Sequence, residues 1–236
     1  MSNVSNVNRN QELSALMSTE FTPLRVTVFD YGAGNLHSLV KTLQTPNTEV
    51  RVESDAVLAA HNTDALILPG VGAFAPAAER LAPGLTEIRA ALSRGLPCLG
   101  ICLGMQLLFD SSTEGAGDGI GVFAGQVQKL NAARVPQIGW NALEHDDPVD
   151  PLFTHSGLRL AYFANSFVAR PSRSTVSQVI AWTEHEGDRF ASAVRSGRVI
   201  GAQFHPEKSS RDGVAFVHAF LHEAASVRFS LVESFA

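Results

Sequence analysis

An α/β fold with a mostly parallel central sheet and helices on both faces is the class this sequence predicts. Three observations predict it. The chain from Leu24 alternates short apolar runs with stretches of helical period. The early runs are continuously apolar, as strands buried on both faces are, and do not alternate polar and apolar. The 236 residues carry 45% hydrophobic and only 17% charged side chains, the balance of a chain that buries a sizeable core.

The elements follow in order. Leu24–Phe29 is β-rich and apolar and ends at Asp30-Tyr31-Gly32-Ala33-Gly34-Asn35. Leu36, Leu39, Val40 and Leu43 then recur at helical spacing. A short strand is expected at Glu49–Glu53, and a buried one at Ala65–Leu68, broken by Pro69-Gly70-Val71-Gly72. Two helices are expected near Ala75–Leu81 and Leu85–Arg94, with Gly95 ending the second. Pro97–Ile101 reads as another buried strand, and Met105–Phe109 as the opening of the next helix. After Glu114 the pattern turns strand-like at Val122–Leu130, Asn141–Glu144, Leu160–Phe167, Val179–Thr183, Phe190–Val194 and Val199–Phe204. A last helix is expected over about Gly213–Ala224. No linker splits this run, so residues 24–236 are expected to form one domain. The polar start, with Ser-Asn-Val twice, is expected to be a flexible tail over residues 1–23.

Composition narrows the partners. With 18 Lys+Arg against 23 Asp+Glu the formal charge is −5, and no basic block offers nucleic acid a phosphate-binding surface. No apolar run of about 18 residues suggests a membrane span, and the first residues lack the pattern of a secretory signal. Two cysteines, Cys98 and Cys102, cannot build a disulfide framework. A cytoplasmic location is the expectation.

The strongest chemical signal is Gly100-Ile101-Cys102-Leu103-Gly104. It joins an apolar strand to a helix with a cysteine at the bend, the nucleophile-elbow pattern with sulfur in place of oxygen. A turn this sharp brings backbone close on both sides, so a side chain at Gly100 or Gly104 would collide. An ordinary thiol is only a few per cent thiolate at pH 7. A helix N-terminus and a nearby imidazole raise that fraction. Cys98, inside the strand, reads as a buried and inert thiol.

The second signal is Gln203-Phe204-His205-Pro206-Glu207. A cysteine nucleophile needs a base, and the base needs an orienting acceptor. His205 and Glu207 stand two apart at the end of an apolar run, where both can project to one side. His37, His61, His145, His155 and His185 read as surface residues. His218 and His222 form a helical stripe without a third ligand, and no metal site is expected. The third signal is Leu68-Pro69-Gly70-Val71-Gly72, a glycine loop able to turn N–H groups of Val71 and Gly72 toward an oxyanion, with Leu103 N–H as the other donor. Gly32 and Gly34 do not make a dinucleotide fingerprint, because its third glycine falls on His37. No cofactor is expected.

In combination these residues resemble a class I, or triad, glutamine amidotransferase, with its flavodoxin-like sheet. Gly100–Gln106 (Gly-Ile-Cys-Leu-Gly-Met-Gln) and Phe204–Glu207 carry that likeness. Asp30–Leu36, Leu68–Phe74, Val135–Asn141 and Lys208-Ser209 narrow it to the glutaminase subunits of imidazole glycerol phosphate synthase. The likeness covers about Leu24 to Leu221. It implies that Cys102, His205 and Glu207 hydrolyse L-glutamine to glutamate and ammonia. It implies that Gln106, Glu114, Asn165, Ser166 and Phe167 hold the glutamine. It also implies a heterodimer with a (β/α)₈-barrel cyclase, docked through Asp30, Tyr31, Gly32, Asn35, Trp140 and Lys208 and activating the glutaminase allosterically. The sequence departs from that family at Asn165-Ser166-Phe167, where His-Ser-Tyr is usual, and at Gln137, where His is usual. Three alternatives stay open: an amidotransferase serving another synthase, a free-standing γ-glutamyl hydrolase, and a non-catalytic regulatory module on the same fold.

Overall fold

A computed structural model of the chain describes residues 22–32, 36–70, 72–145 and 148–233, with side chains up to residue 227. The chain enters through β1 (Leu24–Phe29), α1 (His37–Leu43), β2 (Thr48–Glu53), α2 (Ala56–Ala59) and β3 (Ala65–Leu68). It continues through α3 (Phe74–Leu81), α4 (Leu85–Ser93), β4 (Cys98–Ile101), α5 (Leu103–Leu107) and β5 (Phe109–Ser112). The second half runs β6 (Phe123–Lys129), β7 (Gln137–Ala142), α6 (Pro151–Ser156), β8 (Leu160–Asn165), β9 (Phe167–Pro171), β10 (Val179–His185), β11 (Asp188–Ser196), β12 (Val199–Ala202) and α7 (Ser210–Glu233).

The central sheet has seven strands in the order β10-β11-β12-β4-β3-β1-β2. From β12 to β2 every neighbour is parallel, and β10, β11 and β12 close one edge as antiparallel partners. A three-stranded sheet, β5-β6-β9, and the β7–β8 hairpin stand beside it. The expected α/β class is therefore found, with a mixed second half.

Alternation of side chains along the strands explains the layers. Leu99 and Ile101 of β4 face one apolar core with Val26, Val28 and Ile67. Cys98 faces the other, with Leu66, Leu68 and Phe29. One sheet thus separates two buried cores, and helices cover both. The first core holds an aromatic cluster in which Phe204 lies 5.5 Å from Phe216 and 6.0 Å from Phe163, edge to face in both pairs. That cluster anchors the segment just before His205.

Three expectations need correction. The helix after Cys102 spans only Leu103–Leu107, and Phe109 already belongs to a strand. The carbonyls of Leu107 and Leu108 accept from Ile120 N and Val122 N, and Gly119 marks that return of the chain. A Cβ there would lie 1.8 Å from the carbonyl oxygen of Phe109, so the chain doubles back closely at this point. The expected strand Leu160–Phe167 is two strands, because Ser166 bends the chain between β8 and β9. The final helix starts earlier and runs longer than Gly213–Ala224. The rest of the expected tail, residues 1–21, lies outside the described residues.

Candidate active site

Parallel α/β sheets place their sites at the carboxyl ends of the strands. Here β3, β4 and β12 are neighbours, and their ends lead directly into Gly70, Cys102 and His205.

Cys102 sits at the bend with φ 46° and ψ −101°, in the left-handed half of backbone space that a side chain rarely adopts. Its N–H donates to Ala202 O of β12 at 2.6 Å, and its carbonyl accepts from Gln106 N. The flanking glycines are required by space. A Cβ at Gly100 would lie 2.6 Å from Gly104 O, and one at Gly104 would lie 1.9 Å from Leu68 O. The five-residue helix that follows has too few aligned peptides for a large macrodipole. Individual donors around the sulfur matter more than the helix end.

His205 is buried, and its Nδ1 donates to Glu207 Oε1 at 2.8 Å. Gly70 lies against both the imidazole and Cys102. A Cβ on it would stand 3.0 Å from Cys102 Cβ and 3.0 Å from His205 Cε1. Burial works against a charged imidazole at this position. Hydrogen bonding and charge coupling to Cys102 and Glu207 outweigh it and push the His205 pKa up to about 10. Cys98, by contrast, is fully buried in the opposite core, and desolvation pushes its thiol far up. It is the inert cysteine of the pair.

The loop after β3 carries Gly72 at φ 117°. Val71 lies outside the described residues. Leu103 is buried in the first turn after the sulfur. Glu114 accepts from Phe74 N at 2.9 Å, so this carboxylate holds the start of α3 just beyond the glycine loop. Gln106 is buried, and its amide nitrogen donates to Phe167 O at 2.9 Å and Gln203 Oε1 at 3.2 Å. Asn165 is buried too, donating to Phe167 O at 3.3 Å. Ser166 O accepts from Leu130 N. The five residues expected to hold glutamine thus divide into Glu114 on the glycine-loop side and a connected group on the other.

The residues expected at a docking face fall in three places. Trp140 is half exposed on the outer face of the β7–β8 hairpin, its ring 6.1 Å from its ladder partner Tyr162. Asp30 Oδ1 accepts from Gly32 N, and Lys208 is exposed one residue after Glu207. Tyr31 corrects the expectation. It is buried, edge-on to Phe29 at 5.0 Å, because its ring faces the second core. Asn35 lies outside the described residues. His145, expected on the surface, is half buried against Phe153, which α6 brings over it. Among the described residues no group of three His, Cys, Asp or Glu side chains could hold a metal ion, and no helix is long and apolar enough to cross a membrane.

Two contributors escaped the sequence reading. Ser209 Oγ donates to His205 O at 2.6 Å and accepts from Tyr162 N at 2.9 Å. No local pattern signals that bridge, because Tyr162, one of the two residues it joins, is 47 residues away. Gln203 Nε2 lies 3.4 Å from Cys102 Sγ. A strand period of two from His205 was the available signal.

Comparison with known proteins agrees with this geometry. Residues 27–224 match the family described as glutamine amidotransferase class-I. The imidazole glycerol phosphate synthase subunit HisH of Synechococcus sp. (strain JA-3-3Ab) is 40% identical over 211 residues, covering 86% of this chain and 95% of that one. The chloroplastic imidazole glycerol phosphate synthase hisHF of Arabidopsis thaliana is 42% identical over 206 residues, which are 84% of this chain but 34% of that longer protein. The structure of PurLQS from Thermotoga maritima superposes with a TM-score of 0.65 at 22% identity, covering 86% of this chain and 99% of that one, a likeness of fold. The chain belongs to the class-I glutamine amidotransferases and, within them, to the HisH subunits of imidazole glycerol phosphate synthase.

Proposed function

We propose that the chain is the glutaminase subunit of imidazole glycerol phosphate synthase, working in the cytoplasm as a heterodimer with a (β/α)₈-barrel cyclase. The reading rests on one observation: a strained cysteine and a Glu207-held imidazole flank the same glycine, Gly70, at the ends of adjacent parallel strands.

In this mechanism Cys102 Sγ, as thiolate, attacks the side-chain amide carbon of glutamine. The C–S bond forms and the carbonyl becomes an oxyanion. Leu103 N–H and the Val71–Gly72 segment stabilise that charge, each donor being worth roughly 10²–10³ in rate. The C–N bond then breaks, and protonated His205 gives its proton to the leaving nitrogen, which departs as ammonia. The high pKa of His205 supplies that acid at neutral pH. Water, deprotonated by His205, attacks the thioester. Glutamate leaves, and the thiolate is restored. Glu207 holds the imidazole throughout. Glu114 pairs with the α-ammonium of the substrate, and the Asn165–Phe167 segment faces its α-carboxylate. Gln106 also holds the glutamine, its own side chain anchored by Phe167 O and Gln203 Oε1.

Ammonia passes to the cyclase, which uses it on a phosphoribulosyl formimino nucleotide to make imidazole glycerol phosphate and an aminoimidazole carboxamide ribotide. Asp30, Gly32, Asn35, Trp140 and Lys208 form the docking and signalling face. The Arabidopsis relative supports a partner, because this chain matches only about a third of its length. The liganded partner reorients the Gly70–Gly72 loop to complete the oxyanion hole. Glutamate release by the isolated chain, then with a barrel cyclase and its nucleotide substrate, tests the proposal. Turnover that rises when the liganded partner is added is expected. Equal rates exclude partner activation, and no turnover in either state excludes the glutaminase.

A further inference from the structure

Gln203 is fully buried, and both ends of its side-chain amide are engaged. The direction of that amide follows from a backbone atom. Phe167 O can only accept, so the Gln106 atom 2.9 Å from it is the NH₂ nitrogen. That nitrogen has a second hydrogen, directed 3.2 Å to Gln203, so the Gln203 atom there is the carbonyl oxygen. The other end of Gln203, 3.4 Å from Cys102 Sγ, is therefore its NH₂. A chain of donors thus runs from Phe167 O through Gln106 and Gln203 to the sulfur.

We propose that Gln203 is a further residue of the active site, an oriented amide donor that holds Cys102 as a thiolate. This rests on the reading of Cys102 as nucleophile and deepens it. A thiol accepts hydrogen bonds poorly, whereas a thiolate accepts them well, so a fixed N–H donor lowers the cost of the charged form. The helix after Cys102 is one and a half turns long and supplies little of that effect on its own. Burial of both glutamines makes the orientation permanent, because flipping Gln203 would face its oxygen to the sulfur and its nitrogen to the Gln106 nitrogen. Among the described residues, the ionisable groups beside the sulfur are His205 and, behind it, Glu207. Gly70, Gln203 and the turn Leu103–Gln106 bring no charge, Glu114 is tied to Phe74 across the glycine loop, and Cys98 faces the opposite core.

The test is the pH dependence of Cys102 alkylation by iodoacetamide in the full chain, with Cys102→Ala giving the background from Cys98. Gln203→Leu removes the donor. Gln203→Glu keeps the shape but faces an oxygen to the sulfur. Both variants are expected to move the alkylation midpoint upward, Gln203→Leu by about one pH unit, which is about a tenfold lower thiolate fraction below the midpoint. Gln203→Glu moves it further. Thermal unfolding of each variant checks the fold. Should Gln203→Leu fail to fold, Gln203→Met, unbranched and without an N–H donor, carries the test. A folded variant that keeps the wild-type midpoint, or lowers it, overturns the proposal. The readout needs no glutamine turnover. A shifted midpoint in a chain that hydrolyses no glutamine would uphold the donor and reject the glutaminase.

Discussion

Tyr162 O accepts from His205 N at 2.8 Å, so the backbone of the β7–β8 hairpin holds the backbone of the imidazole. Ser209 closes the same clamp, with its hydroxyl bridging His205 O and Tyr162 N. On the outer face of that hairpin Tyr162 pairs with half-exposed Trp140. The face expected to dock a partner is thus tied to His205 by a direct backbone hydrogen bond and by the Ser209 bridge.

Ser209→Ala removes the bridge and leaves Tyr162 N without its acceptor, while His205 O still accepts from Lys208 N. A buried group that loses its partner costs about 1–3 kcal/mol. The expected result is a loss of about 1–3 kcal/mol in urea unfolding and a lower kcat, because His205 is no longer fixed against Glu207. Ser209→Thr keeps the hydroxyl and is expected to retain most of the rate. If Ser209→Ala matches the wild type in both measurements, the clamp has no mechanical role.

Glu207 carries part of the upward shift of His205, and the sign of its removal follows. A raised pKa means that the imidazole keeps its proton through neutrality and loses it only toward pH 10. Turnover should therefore fall on the alkaline side, as the acid needed for ammonia departure is lost. Glu207→Gln removes a negative charge and an acceptor while burial still disfavours the cation. The alkaline limb is then expected about one to two pH units lower. A kcat profile between pH 6 and 11 checks it, and an unmoved limb would count against Glu207 as the orienting carboxylate.

The sequence made the elbow legible because its constraint is local. Two glycines, a cysteine and an apolar strand stand within a few residues, and the steric reason for Gly100 and Gly104 lies in that same turn and in the neighbouring strand end, Leu68. His205 with Glu207 was legible for the same reason. Continuously apolar runs located β1, β3 and β4 well, since β3 and β4 are buried on both faces, and a helical stretch ended by Gly95 located α4. What escaped was set by distant contacts. The stop of α5 goes with the return of Ile120 and Val122 onto the Leu107 and Leu108 carbonyls, and the burial of Tyr31 depends on which core its ring meets. The link from Gln203 to the sulfur spans 101 residues.

Gly104→Ala tests the elbow as a packing problem. Its Cβ would stand 1.9 Å from Leu68 O, a backbone atom that cannot swing aside as a side chain can. The β3 and β4 strand ends would have to separate. A cost of at least about 3 kcal/mol is expected, enough to leave little folded protein at 37 °C if overall stability is ordinary. Thermal unfolding measures it. A variant with unchanged melting temperature would mean that the bend is looser than its geometry.

The outer face of the β7–β8 hairpin is where docking is expected to be strongest. Ile138 is 67% exposed, Trp140 50% and Leu160 52%, on alternate positions that all point away from the core. Their inward neighbours Gln137, Phe163, Asn165 and Ala161 are buried, so the pleat turns these three away from the core. Apolar side chains grouped this way beside a site mark a contact surface. Trp140→Ala is expected to weaken the complex with the barrel cyclase by about 2 kcal/mol, roughly thirtyfold in Kd, as the loss of a central aromatic anchor does. Ile138→Asp, which would bury a carboxylate in the same contact, should cost at least as much. Titrating each variant against the cyclase and following binding by calorimetry measures both. Wild-type affinity in the two together would move the docking face elsewhere on the chain.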